Sequence, residues 1–152
     1  MQIETITIER VPEFWEWLEY NGSIGNVKIP EEIYDEIKQG NDNLAAWIKK
    51  KDVKEALIFN NEPKPTLVNR AVAQGYASNL KDDELPKLGR DPFLLGYVLV
   101  DTSNFCIVTT EVSKPSKRRA NKHLPDAASN LGIDTCTTFE FVRKLDFSTN
   151  WQ

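Results

Sequence analysis

The stretch Gly89–Glu111, G-R-D-P-F-L-L-G-Y-V-L-V-D-T-S-N-F-C-I-V-T-T-E, carries a helix, a turn and a strand in immediate succession. Asp91 followed by Pro92 is a helix start: an aspartate can cap the first free N–H groups, and a proline at the first helical position has no N–H to leave unpaired. Phe93 to Val100 is apolar almost all round, which predicts a buried helix. Asp101-Thr102-Ser103-Asn104 makes the turn. Phe105 to Val108 reads as a short apolar strand without polar alternation, the pattern of a parallel sheet covered on both faces. Thr109, Thr110 and Glu111 follow, so a carboxylate stands just past a strand's carboxyl end, the edge at which open α/β sheets bind ligands. Asp91 and Glu111 are therefore expected on one rim of the sheet.

Outward from this stretch, helices and short apolar segments alternate. Gln2 to Ile8 has β-like character. Pro12 opens a helix carrying Phe14, Trp15, Trp17, Leu18 and Tyr20, closed by Asn21-Gly22, with its aromatics read as core packing. Ile24 to Ile29 is a strand or an extended connection. Pro30-Glu31-Glu32 starts a second helix, with Ile33 and Ile37 as its inward stripe and Gly40 as its end. Asn41-Asp42-Asn43 caps a third through Leu44, Trp47 and Ile48, followed by an exposed Lys49–Asp52 segment. Ala56 to Phe59 reads as a strand, and Leu67, Val68, Ala71, Val72 and Tyr76 mark another helix. Lys81 to Gly89 is a charged loop. A helix from Pro125 to Leu131, stopped by Gly132, precedes a strand from Ile133 to Cys136. Thr137 and Glu140 then have the spacing of a capping box for the final helix. This alternation predicts an α/β fold, a three-layer α/β/α sandwich with a mainly parallel sheet.

With 152 residues the chain has the length of one domain. Hydrophobic residues at 40% and charged residues at 28% give an ordinary globular balance, and a net charge of −4 means that any nucleic-acid contact must come from a local basic patch. Cys106 and Cys136, each in an apolar strand, are expected to be buried core thiols of a reduced compartment. One histidine and two dispersed cysteines argue against a zinc site. No apolar run is long enough to span a membrane and no secretory signal is visible, so no membrane partner and a cytoplasmic location are expected.

Four acids stand out by position: Glu36 beside the inward stripe of its helix, Asp91 at a helix start, Glu111 beyond a strand, and Asp126 after Pro125 at another helix start. Carboxylates gathered on one sheet edge can hold Mg²⁺ or Mn²⁺ and activate a water for attack on phosphorus. Each has a plainer role beside that one: Asp91 and Asp126 as helix caps, Glu36 as a solvated helix residue, Glu111 as a strand-end surface acid. Lys114, Lys117, Arg118, Arg119 and Lys122 form a basic loop in an otherwise acidic chain, suited to a polyanion's phosphates or simply solvated. Thr109 and Thr110 can hydrogen-bond a phosphate or end the strand, and His123 stands alone.

The order of I-Y-D-E-I (Glu36), D-P-F-L-L-G-Y (Asp91) and I-V-T-T-E (Thr109 to Glu111) resembles PIN-domain ribonucleases. It is most similar to a PIN-like bacterial and archaeal family with an early P-x-F-W-x-W-L, here Pro12 to Leu18, and a late K-x-x-P-D-A, here Lys122 to Ala127. The resemblance implies a parallel sheet between helices, Mg²⁺- or Mn²⁺-dependent cleavage of RNA phosphodiesters, and a toxin restrained by a cognate antitoxin protein. Carried over by motif, Glu36, Asp91 and Glu111 resemble metal ligands, Asp126 belongs to the late P-D motif, and Thr109 matches the small hydroxyl residue beside the acid.

The chain departs from this pattern at its start. PIN domains open with a strand ending in an aspartate that is central to the metal site, and Met1 to Arg10 contains Glu4 and Glu9 but no aspartate. The expectation is a single PIN-like domain over residues 1–152, N-terminally incomplete, with a central strand missing and neighbouring edges open to Gln2–Ile8 or to a second copy in a homodimer. Metal binding would then be weak and activity low or nil. The alternative is a non-catalytic PIN-like module that binds protein or RNA.

Overall fold

In the computed structural model, which describes residues 7–152, Pro12 opens the first helix, α1 (Pro12–Ser23). The strand-like character of the first residues lies, through residue 6, outside the described residues, and Thr7 is already in a turn whose carbonyl accepts from Arg10 and Val11. On α1 the spacing of Phe14, Trp17, Leu18 and Asn21 puts one face inward, and Trp15 widens it. The Phe14 ring meets Trp15, Trp17 and Phe147 at centroid distances of 5.4, 5.6 and 5.5 Å. Trp15 in turn packs edge-on to Trp47 at 4.8 Å. Tyr20 departs from the expected core packing: it is half exposed and lies against Trp151.

Asn21-Gly22 does not end α1. Asn21 is buried, its amide donating to the Trp17 carbonyl and its oxygen accepting from Asn26, so both stay inside the helix. The chain turns at Gly25, where φ is +85°. Gly22 serves close approach instead: a Cβ there would stand 2.5 Å from Leu57 Cδ2 and 2.9 Å from the Ala56 carbonyl oxygen.

β1 (Ile29–Pro30) is only two residues long and pairs in parallel with β2 (Ile58–Phe59). Between them lie α2 (Glu31–Ile37), α3 (Asn43–Ile48) and α4 (Lys51–Leu57). The inward residue of α2 is Tyr34, with Ile33 and Ile37 only half buried, and the helix stops before Gly40. Asp42 caps α3, its carboxylate accepting from the Ala45 N–H at 2.8 Å. Of the expected strand over Ala56–Phe59, Ile58 and Phe59 are strand and Ala56 and Leu57 are the end of α4, where with Val53 they form its buried stripe; the preceding lysines belong to its first turn and approach. Lys28 ties the two helix ends together, its ammonium donating to the carbonyls of Gly22 and Ala56, where helix carbonyls favour a cation.

These elements, with the chain's last residues Val142–Gln152, make one compact unit, and Glu62–Phe141 makes a second. The second unit begins with α5 (Pro65–Arg70), which widens without a break into a π-helical turn over Ala71–Tyr76. α6 (Asp91–Val98) buries Pro92 and Leu95 to Val98 as expected, while Val100 beyond its end is exposed. Gly96 lets α6 approach α5, since a Cβ there would lie 3.0 Å from Val68 Cγ2 and 3.3 Å from the Val68 backbone nitrogen.

β3 (Cys106–Val108) pairs in parallel with β4 (Asp134–Cys136), and α7 (Leu124–Asn130) lies between them in sequence. The strand is not covered on both faces: Ile107 is buried but Cys106 and Phe105 are exposed. Of the cysteines only Cys136 is buried, so the expectation of two core thiols fails for Cys106. The core is aliphatic and small, with Ala71, Leu95, Ala127 and Ala128 fully buried. The last helix, α8 (Thr138–Lys144), starts at the expected capping box, with the Thr137 N–H on the Glu140 carboxylate at 2.7 Å and the Glu140 N–H on Thr137 Oγ1 at 3.2 Å. No helix of the described residues is long and apolar enough to cross a membrane.

Candidate functional site

Asp91, Thr109, Glu111 and Asp126 all belong to the second unit, as does Tyr76, on which the charges of Asp91 and Glu111 act. The π-turn ends at Tyr76 with its side chain buried and its hydroxyl 3.5 Å from Asp91 Oδ2. Burial raises the phenol's pKa well above its ordinary value, and the charges of Asp91 and Glu111 add to the rise, so the hydroxyl stays protonated and can donate. The charges of both acids thus act on one phenol. Glu36 belongs to the first unit, exposed on α2.

Asp91 is not a helix cap. Arg90 holds the N-cap position and Asp91 is the first residue of α6, where its charge favours the helix N-terminus. Nor does Asp126 cap α7, whose N-cap is His123. Asp126 reaches outward: one carboxylate oxygen accepts from the Ser113 hydroxyl and the other from the Lys114 backbone N–H at 2.8 Å. The Ser113 hydrogen bond, then the Lys114 one, holds its pKa below the ordinary carboxylate value. The acid that does serve α7 is Glu111, which accepts from the Leu124 N–H at 2.9 Å. Next to it His123 Nδ1 lies 2.7 Å from the Val112 carbonyl and 4.0 Å from Glu111. Thr109 is buried at the end of β3, and its hydroxyl oxygen accepts from the Glu111 N–H at 3.1 Å, which fixes the turn that presents Glu111.

The basic loop divides into structural and exposed cations. Arg119 is structural, held in a left-handed backbone conformation at φ +53°. Its guanidinium grips Glu84 with two hydrogen bonds of 2.9 and 2.8 Å and Asn79 with two more. That grip, with the Lys81 N–H, pulls the Glu84 pKa down to about 2. Lys122 donates to the carbonyls of Tyr76 and Gly75, and Asn130 also donates to Gly75, so the open end of the π-turn is satisfied. Lys114, Lys117 and Arg118 are exposed, and no ion pair among the described residues includes them. Tyr76, Glu84 and Lys28 are the contributors that sequence patterns miss, because each acts through a partner distant in the chain.

Mg²⁺ and Mn²⁺ take several oxygen ligands, and the carboxylates here are of that kind. Among the described residues, however, no three His, Cys, Asp or Glu side chains are gathered so as to hold a metal ion. Both oxygens of Asp126 and one of Glu111 accept from protein donors. The described residues do not by themselves make a divalent-metal site. What they do make is a protonated phenol beside Asp91, and a fastened loop that exposes cations.

No curated protein and no solved structure matches the chain. A family model does match it, over residues 2–149, under the description Domain of unknown function (DUF4411). With nearly its whole length matched, the chain belongs to the DUF4411 family.

Proposed function

We propose that this chain is a PIN-like domain of the ribonuclease-toxin kind, built as a three-layer α/β/α sandwich with a mainly parallel sheet, that acts on RNA and is restrained by an antitoxin protein. The observation that supports this reading is the buried Tyr76 hydroxyl, which stands 3.5 Å from Asp91 Oδ2 and whose pKa is raised by burial and by the charges of both Asp91 and Glu111, the acids of the D-P-F-L-L-G-Y and I-V-T-T-E motifs. Lys114, Lys117 and Arg118 stand on the adjoining loop, where cations would meet the phosphates of a single strand. The divalent ion implied by the resemblance, Mg²⁺ or Mn²⁺, lacks a complete ligand set among the described residues, so its affinity is weak and cleavage low or nil.

A second reading rests on the hydrogen bonds of the acids. Glu111 and Asp126 are engaged by Leu124, Ser113 and Lys114, as in a domain that binds RNA or protein without cleaving it. Incubation of a single-stranded RNA with the folded chain and Mn²⁺, beside Asp91→Asn and an EDTA control, separates the two. Cleavage that is lost in both controls supports the nuclease. Binding without cleavage supports the non-catalytic module, and neither binding nor cleavage would remove RNA from both readings.

A further inference from the structure

We infer that Asp126 is a positioning residue that holds the basic loop in shape for an anionic strand, and not a metal ligand. The loop in question is the segment between Glu111 and Asp126, and its ligand rests on the proposal that the domain acts on RNA.

The start of this segment runs along the beginning of α7 and is fastened there residue by residue. Glu111 takes the Leu124 N–H, the Val112 carbonyl meets His123 Nδ1, and Ser113 and Lys114 both donate to Asp126. Further on, the Lys117 N–H returns to the Lys114 carbonyl and the Arg118 guanidinium to the Pro115 carbonyl. Arg119 is clamped to Glu84 and Asn79, and Lys122 to the end of the π-turn. The result is an arch tied at both feet and at Arg119, whose remaining cations, Lys114, Lys117 and Arg118, face solvent without acidic partners among the described residues.

A metal ligand needs a lone pair directed at the ion. Each carboxylate oxygen of Asp126 accepts one hydrogen bond from the arch, which leaves a lone pair on each but turns the carboxylate toward Ser113 and Lys114, and among the described residues no two further His, Cys, Asp or Glu side chains gather with it to hold an ion. An asparagine at this place could still take the Lys114 N–H on its amide oxygen and donate its NH2 to the Ser113 hydroxyl, but both charge-assisted bonds would become weaker neutral ones and the ties would loosen. Pre-ordered cations lose less conformational freedom on binding than cations on a loose loop, so the ties raise affinity for a polyanion without touching it.

The test compares the full chain with Asp126→Asn, each with and without the triple change Lys114→Gln, Lys117→Gln and Arg118→Gln. Hydrogen exchange at the Lys114 amide, Mn²⁺ binding, and affinity for a single-stranded oligouridylate across a salt series are read on each. Asp126→Asn is expected to speed Lys114 exchange about tenfold or more while the other core amides keep their rates. Mn²⁺ binding is unaltered, and oligouridylate affinity falls with a shallower salt dependence, by about 0.7 of a log unit per log unit of salt for each phosphate that is no longer neutralised. In the triple background the oligouridylate effect of Asp126→Asn vanishes, which a general structural lesion would not produce. Weaker Mn²⁺ binding in Asp126→Asn, or unchanged Lys114 exchange, overturns the positioning role. A wild-type chain without salt-dependent oligouridylate binding overturns the RNA reading instead, while exchange and Mn²⁺ still decide the role of Asp126.

Discussion

The two units of this chain are held together by different means. The first is an aromatic core: Phe14, Trp15, Trp17 and Trp47 on helices, with Phe147 from the last residues. Its polar ties, such as Lys28 on the carbonyls of Gly22 and Ala56, finish helix ends. In the second unit the core is mainly alanines and leucines, with Val98, Ile107, Ile133 and the ring of Tyr76 among its buried cluster, and ordering passes to charged side chains that cross long loops, as with Arg119 on Glu84 and Asp126 on Ser113 and Lys114. Large rings bury much area with few constraints on charge. Small core residues bring helices close and leave the shaping of loops to directional polar contacts. The acids and bases that could act on a ligand are concentrated in the unit built the second way.

The contrast between the units is tested first where the largest effect is expected. Phe14→Ala should destabilise the first unit by about 3–5 kcal/mol, since it removes the ring shared by Trp15, Trp17 and Phe147. Denaturant unfolding followed by tryptophan fluorescence measures it, and a loss below about 1 kcal/mol would mean that this ring is not central to the core. Gly22→Ala comes next. The added methyl would meet the Ala56 carbonyl oxygen as well as the Leu57 side chain, so a loss of about 1–3 kcal/mol is expected from overpacking despite alanine's better helix propensity. Gly96→Ala in the second unit meets Val68 less severely and should cost less than Gly22→Ala, and the reverse order would invert the contrast between the two helix contacts.

Smaller effects follow. Thr137→Ala removes one half of the capping box at α8 and is expected to cost about 1 kcal/mol, measurable as a lower denaturation midpoint. The Arg119–Glu84 pair gives a pH signature instead. The Glu84 pKa is depressed from its ordinary value of 4.5 to about 2, chiefly by the Arg119 hydrogen bonds, so its stabilising contribution is present above pH 4.5 and fades as pH falls toward 2. Wild type and Arg119→Gln should therefore converge in stability over that window. Parallel curves from about pH 5 to pH 2 would show that the clamp does not hold Glu84 in solution.

What could be read in the sequence was what local chemistry determines. Pro12, Asp42 and the Thr137–Glu140 box mark helix starts because caps and prolines act within a turn of themselves. The strand pair around Cys106 and Cys136 followed from apolar runs, though not its exposed face, since exposure depends on what the rest of the chain supplies. α4 was missed because Val53, Ala56 and Leu57 suit a strand as well as a helix, and packing against α1 decides between them. At the site, the acids could be singled out, but their partners could not. Asp91 and Asp126 follow the local pattern of caps, while their hydrogen bonds are set by Tyr76, Ser113 and Lys114, each more than ten residues away in sequence. Arg119 and Lys122 looked like members of a basic patch, and only the distant carboxylate and carbonyls they meet show them to be structural.

The π-helical turn over Ala71–Tyr76 gives the chain an unusual response to changes in length. A π-turn spends about one residue more than an α-turn on the same rotation. Deleting Ala73 or Gln74, both exposed, would allow the helix that begins at Pro65 to continue with regular geometry, so the backbone could tighten where most helices would be broken by a lost residue. The phase of everything downstream would be kept, because an α-turn covers the same rotation with one residue fewer. Tyr76 would stay on its side of the axis, with its hydroxyl toward Asp91 and its carbonyl toward Lys122. The extra residue is thus one that this helix can lose without losing the aim of its last side chain.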